Sequence, residues 1–310
     1  MWAEVLLEAT DLSRRYGARS VVHTVSLTLR RGEVVGLLGL NGAGKSTTLR
    51  LLTGVLAPHC GTVRIAGHDL QRAPLTAKRH LGYLPEVPPL FLDAKVDEYL
   101  ALCAELHRIA RPAREAAIRQ VKQRCGLTDQ GTRLIRNLSK GFQQRVGIAQ
   151  AIVHDPAVLI LDEPTVGLDP AQMQEMRLLI QSLRDERAIL LSTHLLSEAE
   201  SICSRVAVLH EGRIVYDEPL ETRAQHLVVS LRVPPSLAQL RGLNGVLEAT
   251  ALNQTRFALR VENAPAVAET IAAHAVAAGW GLHELTIRHS ALEQIFLTLT
   301  RGDAAIETAA

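Results

Sequence analysis

Aromatic side chains are scarce in this sequence, whose 310 residues include four Tyr, four Phe and two Trp. Proteins that bind single-stranded nucleic acid stack the bases on aromatic rings, so this composition does not favour such a function. An excess of one charge is also lacking, because 34 Lys and Arg stand against 32 Asp and Glu and leave a net charge of +2. The sequence therefore lacks the excess of basic residues that is typical of nucleic-acid-binding proteins, and we expect no nucleic-acid partner.

Long hydrophobic segments are absent as well. A membrane-spanning helix needs about 20 mostly apolar residues in a row. The longest candidate, residues 264–282, is interrupted by Glu269, His274 and a proline. The first ten residues, MWAEVLLEAT, lack the basic region and the cleavage site of a secretory signal. The sequence thus predicts neither a membrane span nor a secretory signal.

Cysteine is rare and dispersed. The four cysteines lie far apart and form no CxxC pair: Cys60, Cys103, Cys125 and Cys203. Without closely spaced pairs, neither a zinc site nor a disulfide framework is indicated. We expect reduced thiols packed in the core of a cytosolic protein.

The remaining composition is that of a globular protein, and the length suggests about two domains. Apolar residues make up 47% of the chain and charged residues 21%. Three short apolar runs, at 33–38, 158–161 and 188–193, are typical of strands buried on both faces of a parallel sheet. Helical patterns separate these runs, so the predicted fold class is α/β.

One region within the α/β part has a different pattern. Apolar residues follow helical spacing from Val96 to Ala104, and Pro112 suits the first turn of another helix. We therefore predict a helical insertion over about residues 87–150.

The last part of the chain is predicted to form a separate domain after a boundary near Pro219. Six elements in the order β-α-β-β-α-β, followed by a helix over 290–300, indicate a small ferredoxin-like α+β domain. The predicted strands are 227–233, 246–252, 255–261 and 282–289, and the predicted helices are 235–242 and 264–278. The predicted domains are residues 1–220 and 221–310.

A phosphate-binding loop is indicated by residues 39–46, GLNGAGKS, which match the pattern GxxxxGK[ST]. Glycines let backbone N–H groups turn towards phosphate oxygens, and the N-terminus of the following helix adds partial positive charge. Lys45 supplies a charge for the β- and γ-phosphates, and the Ser46 hydroxyl can ligate Mg²⁺. The residues expected to bind nucleotide here are Gly39, Asn41, Gly42, Ala43, Gly44, Lys45, Ser46 and Thr47.

The second half of such a site is an acidic pair at the end of a buried strand. The apolar run 158–161 ends in Asp162 and Glu163. Asp162 is predicted to hold Mg²⁺, directly or through water. Glu163 is predicted to polarise the attacking water as a general base.

With these motifs in place, residues 4 to 218 resemble the nucleotide-binding subunit of ATP-binding cassette (ABC) transporters. Further motifs follow in the order of that family: Tyr16 in RRYG, Glu86 in GYLPE, Ser139 and Gly141 in LSKGFQQR, Asp169 in GLD and His194 in STH. The resemblance implies the P-loop NTPase fold of an ABC cassette, ATPase activity, and the use of ATP and Mg²⁺.

The resemblance also implies roles for the residues around the nucleotide. Tyr16 would stack on the adenine ring. His194 would reach the γ-phosphate and the attacking water, and so join Glu163 and Lys45 in catalysis. Glu86 would ligate Mg²⁺ together with Ser46 and Asp162.

Three residues would act across a pair of subunits. Ser139 and Gly141, at the start of a helix, would face the γ-phosphate bound by the other subunit. Asp169 would lie at the subunit interface and couple the two sites. The implied assembly is a homodimer, or a pair with another cassette subunit, closed around two ATP.

The sequence departs from the commonest family pattern at four positions: Leu40, Glu86, Lys140 and Phe142. The LSKGF and YLPE variants, and the stretch LEQIFL at 292–297, are similar to those of the branch that serves ABC-2-type exporters, with multidrug, antibiotic and gliding-motility systems. We therefore expect a subunit that powers export by a separate permease, held peripherally at the cytoplasmic face of the plasma membrane.

Two alternatives stay open. An importer ATPase subunit carries the same motifs, although the LSKGF and YLPE variants and the C-terminal domain weigh against it. A soluble ABC ATPase acting in translation or DNA repair usually has two cassettes or a long coiled coil, and the segment between Lys45 and Asp162 is too short for one. The low net charge also argues against nucleic acid.

Overall fold

The computed structural model describes residues 4–220 and 225–288, which fall into two compact units that divide after Leu220. The helix predicted over 290–300 and the stretch 292–297 lie outside the described residues. Among the described residues, no helix is both long enough and apolar enough to cross a membrane.

Strands and helices alternate along most of the first unit. Its strands are β1 (Val5–Tyr16), β2 (Arg19–Arg30), β3 (Val34–Leu38), β4 (Cys60–Ile65), β5 (His68–Asp69), β6 (Leu81–Leu84), β7 (Val158–Asp162), β8 (Ala188–Thr193), β9 (Arg205–His210) and β10 (Arg213–Pro219). Its α-helices are α1 (Lys45–Leu52), α2 (Pro74–Lys78), α3 (Val96–Leu106), α4 (Arg111–Arg124), α5 (Lys140–Ile152), α6 (Pro170–Ser182) and α7 (Leu196–Ile202).

Six of these strands form a mainly parallel sheet in the order β10-β9-β3-β8-β7-β6, in which β10 runs antiparallel to β9. Every residue of β3, β7 and β8 is buried. Strands covered on both faces read as near-continuous apolar runs, which is the pattern seen in the sequence. The predicted α/β fold class is confirmed.

Successive residues of the central strands enter two different cores, because side chains alternate between the faces of a strand. Leu159 packs in the core that contains α3, α5 and α6, whereas Ile160 packs in the core that contains α1 and the strands β1 and β2. Burying each such aliphatic side chain stabilises the fold by about 1.5–3 kcal/mol.

An antiparallel sheet in the order β2-β1-β4-β5 was not predicted from the sequence. Val25, Leu27 and Leu29 alternate with more exposed residues in β2, and their buried face shares a core with Val35 and Leu37 of the central sheet. The first unit therefore has a layer in addition to the expected sheet and helices.

Helices α3, α4 and α5 follow one another between β6 and β7. Pro112 lies in the first turn of α4, where a missing N–H group costs no helical hydrogen bond. Val96 and Leu100 of α3 and Val146 of α5 are buried in one core with β7.

In residues 225–288, the second unit is a four-stranded antiparallel sheet with two helices. Its elements are β11 (Gln225–Leu231), α8 (Leu237–Arg241), β12 (Val246–Ala251), β13 (Arg256–Val261), α9 (Ala264–Ala277) and β14 (Leu282–Arg288). The sheet order is β12-β13-β11-β14, and Val229, Leu259 and Ile271 lie in its core. The predicted β-α-β-β-α-β order is confirmed.

Candidate functional site

The predicted phosphate loop connects β3 to α1, and it requires glycine at two positions. Gly44 has a φ of +104°, which L side chains rarely adopt, and a Cβ there would lie 2.9 Å from the carbonyl oxygen of Val21. A Cβ at Gly39 would lie 2.5 Å from the carbonyl oxygen of Leu209. The loop can approach the neighbouring backbone this closely because both side chains are missing.

Lys45 begins α1 and points back into this loop. The residue is only 7% exposed. Its Nζ donates hydrogen bonds to the carbonyl oxygens of Gly39 at 2.8 Å and Leu40 at 3.3 Å, and it lies 3.5 Å from Glu163 Oε1. The ammonium group is therefore held at the loop as a point charge suited to phosphate.

The acidic pair at the end of β7 is buried and held by one serine. Asp162 Oδ1 accepts a hydrogen bond from Ser192 Oγ at 2.6 Å, and the Glu163 N–H donates to the same Ser192 Oγ at 3.0 Å. Glu163 has a φ of 48°, and a left-handed backbone at a non-glycine residue costs about 1–3 kcal/mol. Such strain persists where surrounding contacts fix it, and it concentrates at functional sites.

His194 lies directly after β8 and contacts the same glutamate. Its Nδ1 is 2.9 Å from Glu163 Oε2. The two oxygens of Glu163 therefore face Lys45 on one side and His194 on the other. A carboxylate oriented in this way has the geometry of a general base.

Lys45, Glu163 and His194 line one open cleft with a volume of about 700 Å³, a size typical of sites for small molecules. The cleft brings together most of the predicted nucleotide residues, namely Tyr16, Asn41, Gly42, Gly44, Lys45, Ser46, Thr47, Glu86, Glu163 and His194. The predicted residues Gly39, Ala43 and Asp162 are buried and do not line it.

The cleft also includes residues that the sequence analysis missed. Arg19, Val21 and Arg50 line it. Arg19 and Val21 follow Tyr16 closely in the chain, and this proximity is the one signal that could have identified them. Tyr16 itself is 45% exposed, and the guanidinium carbon of Arg14 lies 5.3 Å from its ring centre.

Ser139, Gly141 and Asp169 lie outside this cleft. Ser139 caps α5, since its Oγ accepts a hydrogen bond at 3.4 Å from the N–H three residues later. Asp169 caps α6 in the same way, with its Oδ1 2.8 Å from the N–H of Gln172. Ser139, Gly141 and Gln172 line a separate pocket of about 240 Å³. The structure therefore does not bring these residues to the Lys45 cleft of the same chain.

Comparison with known proteins shows the family. Residues 22–166 match the ABC transporter family. Over 307 residues, the chain is 33% identical to YhcH of Bacillus subtilis (strain 168), an uncharacterized ABC transporter ATP-binding protein, and the match covers 96% of each protein. This chain belongs to the ABC transporter family.

Two further relatives agree with this assignment. The ABC protein is 34% identical over 271 residues to Nod factor export ATP-binding protein I of Paraburkholderia xenovorans (strain LB400). This match covers 84% of this chain and 88% of the relative. A solved ATP-binding subunit of an ABC transporter matches with a TM-score of 0.63 and 35% identity, over 69% of this chain and 90% of that one. This ABC protein is thus a nucleotide-binding ATPase of the kind that works with membrane permease components.

The acidic and hydroxyl groups of the ABC site fit Mg²⁺ by their chemistry. Ser46 and Glu86 line the cleft and Asp162 lies behind it, so the donors are oxygen atoms, which this hard cation prefers. Among the residues that the structure describes, no group of three or more His, Cys, Asp or Glu is placed to hold a metal by itself. Mg²⁺ commonly binds through one or two carboxylates plus substrate phosphates, so the residues fit a metal that arrives with the nucleotide.

A tyrosine beside this acidic pair is kept neutral. Burial raises the pKa of Tyr83 to about 12, and the negative charge of Asp162 adds to the rise. Tyr83 lies in β6, next to β7 in the central sheet. Its phenol therefore stays protonated and adds no negative charge next to Asp162.

Proposed function

We propose that this ABC protein hydrolyses ATP to power export through a separate permease subunit. The observation that carries the proposal is the Glu163 carboxylate, whose oxygens lie 3.5 Å from Lys45 Nζ and 2.9 Å from His194 Nδ1 inside the cleft. The relative from Paraburkholderia xenovorans (strain LB400) is a Nod factor export ATP-binding protein, which supports export as the direction of transport.

The chemical step uses three side chains. Glu163 takes a proton from the water that attacks the γ-phosphorus, and the products are ADP and inorganic phosphate. A positioned general base contributes typically about 10²- to 10⁴-fold to such a rate. His194 holds the glutamate and the γ-phosphate in line. Lys45 and the N–H groups of the loop stabilise the charge on the β- and γ-phosphate oxygens.

The remaining residues of the cleft hold the substrate and the metal. Tyr16 stacks on the adenine ring from its exposed position at the end of β1. Ser46, Asp162 and Glu86 hold Mg²⁺, which when bound neutralises charge on the β- and γ-phosphates. Ser192 keeps Asp162 oriented through its 2.6 Å hydrogen bond.

The signature residues act on a second copy of the chain. Ser139 and Gly141 lie at the N-terminus of α5, outside the Lys45 cleft. In the proposed homodimer they face the γ-phosphate bound by the partner, where the partial positive charge of the helix end favours an anion. Asp169 lies at the interface, and the pair encloses two ATP.

The proposed organisation follows from these roles. Residues 1–220 form the ATPase domain with a helical insertion over about 87–150, and residues 221–310 form an accessory domain. The permease contacts the ATPase near Glu86 and the helical insertion, at the cytoplasmic face of the plasma membrane.

The substitution Glu163→Gln tests the proposal. It keeps the shape of the side chain and removes the base, so we expect kcat for ATP to fall at least about 100-fold while ATP still binds. Glu115→Gln is the matched control, because that carboxylate is 89% exposed in a surface ion pair with Arg119. Wild-type turnover in Glu163→Gln, measured as phosphate release, would overturn the assignment of the base.

A further inference from the structure

Glu198 carries a buried carboxylate that the proposed chemistry does not use. It lies in α7 and is 1% exposed. Its Oε1 accepts a hydrogen bond from Thr165 Oγ1, and its Oε2 accepts one from Thr193 Oγ1. Within residues 4–220 and 225–288, no Lys, Arg or His forms an ion pair with it. Two threonine hydroxyls are therefore the side-chain partners of this charge in the described part of the chain.

Burying a carboxylate in this position costs free energy of folding. Burying a charge without a cation is strongly unfavourable unless hydrogen bonds compensate it. An apolar residue of similar size would fill the same space in α7 but would leave the hydroxyls of Thr165 and Thr193 without this acceptor. The glutamate is thus matched to the two hydroxyls, and its use is to be found in what they hold.

The two hydroxyls belong to the segments that carry Glu163 and His194. Thr165 lies two residues after Glu163, and Thr193 is the last residue of β8, directly before His194. Both threonines are buried, at 4% and 0% exposure. The Thr193 hydroxyl also accepts a hydrogen bond at 3.1 Å from the backbone N–H that follows His194. Glu198 therefore ties the turn after β7 to the turn after β8.

We propose that Glu198 is a positioning residue that keeps His194 Nδ1 within 2.9 Å of Glu163 Oε2. This inference rests on the proposed roles of Glu163 and His194. The left-handed backbone at Glu163 needs constraint from its surroundings, and the Glu198 bridge supplies it on one side as Ser192 does on the other. A misplacement of about 1 Å in a catalytic group can cost about 100-fold in rate.

The pair Thr193→Val and Thr193→Ser tests the bridge. Valine keeps the branched shape and removes the hydroxyl, whereas serine keeps the hydroxyl. For Thr193→Val we expect kcat to fall about tenfold or more, with the Kd for ATP within about twofold of wild type because no nucleotide contact of Lys45 or Tyr16 is touched. Thr193→Ser should restore kcat to within about threefold of wild type.

Thr53→Val is the matched control for loss of a buried hydroxyl. Thr53 is 3% exposed, and its Oγ1 donates to the carbonyl oxygen of Arg50 at 3.2 Å. We expect this variant to leave kcat unchanged and to lower Tm by less than Thr193→Val, because no buried carboxylate loses a donor. Equal losses of kcat in the two valine variants would overturn the positioning role, since they would reflect general destabilisation.

A double-mutant test separates this inference from the proposed function. In a His194→Ala background, Glu198→Gln should cause a smaller fall in kcat than in the wild-type background, because the His194–Glu163 contact that it maintains is already lost. A fall as large as in the wild-type background, or wild-type kcat in folded Thr193→Val, would overturn the positioning role while leaving the base assignment in place. Wild-type turnover in Glu163→Gln, in contrast, overturns the proposed function and the inference with it.

Discussion

At the scale of single residues, the contacts of the cleft meet at Glu163. Its backbone N–H is held by Ser192, and its two carboxylate oxygens face Lys45 and His194. The residue is 8% exposed, so these contacts lie in a largely dry environment where electrostatic interactions are stronger than in water. The position and orientation of one side chain are therefore fixed by groups from two separate segments, the start of α1 and the end of β8.

Ser192→Ala should lower both stability and turnover. The substitution removes the donor to Asp162 and the acceptor for the Glu163 N–H, and a buried group left without a partner costs about 1–3 kcal/mol. We expect the free energy of unfolding in urea to fall by about that amount, and kcat to fall with it.

Ser182→Ala provides the comparison for this prediction. The Ser182 hydroxyl donates to the carbonyl oxygen of Leu179 at 2.7 Å and lies in α6, away from the cleft. Its loss should cost about 1 kcal/mol or less and leave kcat unchanged. If Ser192→Ala behaves like this control, Ser192 does not orient the acidic pair.

Short motifs and the family resemblance predicted most of the residues that line the cleft, but not the groups that orient them. Lys45 and Glu163 belong to short motifs whose chemistry can be read directly. Ser192 and Glu198 act through contacts that depend on how β7, β8 and α7 pack, and no local pattern encodes those distances. The supporting hydrogen bonds therefore required the structure.

At the scale of helices and strands, Asp169 has a structural role in α6 besides its proposed role at the subunit interface. It caps α6, and asparagine caps helices about as well as aspartate, whereas alanine costs about 1 kcal/mol. Asp169→Asn should therefore keep the wild-type Tm, and Asp169→Ala should lower it. If the carboxylate couples two sites, both variants should lose cooperativity in ATP turnover. Wild-type cooperativity in Asp169→Asn would exclude the coupling role of the carboxylate and leave Asp169 only as the N-cap of α6.

The packing of His154, just after α5, against His107 predicts that stability depends on pH. Burial lowers the pKa of His154 from 6.5 to about 4, and the neighbouring His107 contributes in the same direction. The two rings stack with centroids 3.6 Å apart, and His154 Nε2 lies 3.0 Å from the carbonyl oxygen of Leu81. The folded protein therefore holds this ring neutral over a range in which the unfolded chain binds a proton.

Because the unfolded state binds more protons between pH 6.5 and 4, stability falls as the pH is lowered through this range. Between pH 7.5 and 5.5 the contribution of His154 is a loss of about 1 kcal/mol, measurable as a shift in the urea midpoint. His154→Gln keeps an N–H donor without titration, and it should show a smaller loss. An equal pH dependence in the variant would exclude His154 as the source.

The three strands β3, β7 and β8 of the central sheet could be predicted because burial on both faces makes their sequences uniformly apolar. The antiparallel sheet of β1, β2, β4 and β5 was not predicted, although Val25, Leu27 and Leu29 of β2 alternate with more exposed residues. Strand β1 shows register shifts against β2 at several points, and Asp11 has a φ of 52°, so the alternation of apolar and polar residues is interrupted. Where irregularities break the period of two, the pattern no longer identifies a strand.

At the scale of the whole molecule, all the residues of the proposed ATP site lie in the first compact unit, before residue 220. The signature residues lie in the same unit but away from the Lys45 cleft. One chain therefore carries the two halves of the proposed site at separate places, and in the proposed homodimer each copy supplies one half. Copurification of the chain with a membrane permease would test whether a permease subunit is its second partner, besides another copy of the chain.

The most direct test of this account is the solution mass of Glu163→Gln, measured by light scattering with and without ATP and Mg²⁺. We expect the chain, 33.8 kDa as a monomer, to double in mass when ATP is added and to stay dimeric, because ATP closes the pair and is not hydrolysed. Ser139→Arg should prevent the doubling without weakening ATP binding to the Lys45 cleft. A Glu163→Gln protein that binds ATP and remains a monomer would contradict the account.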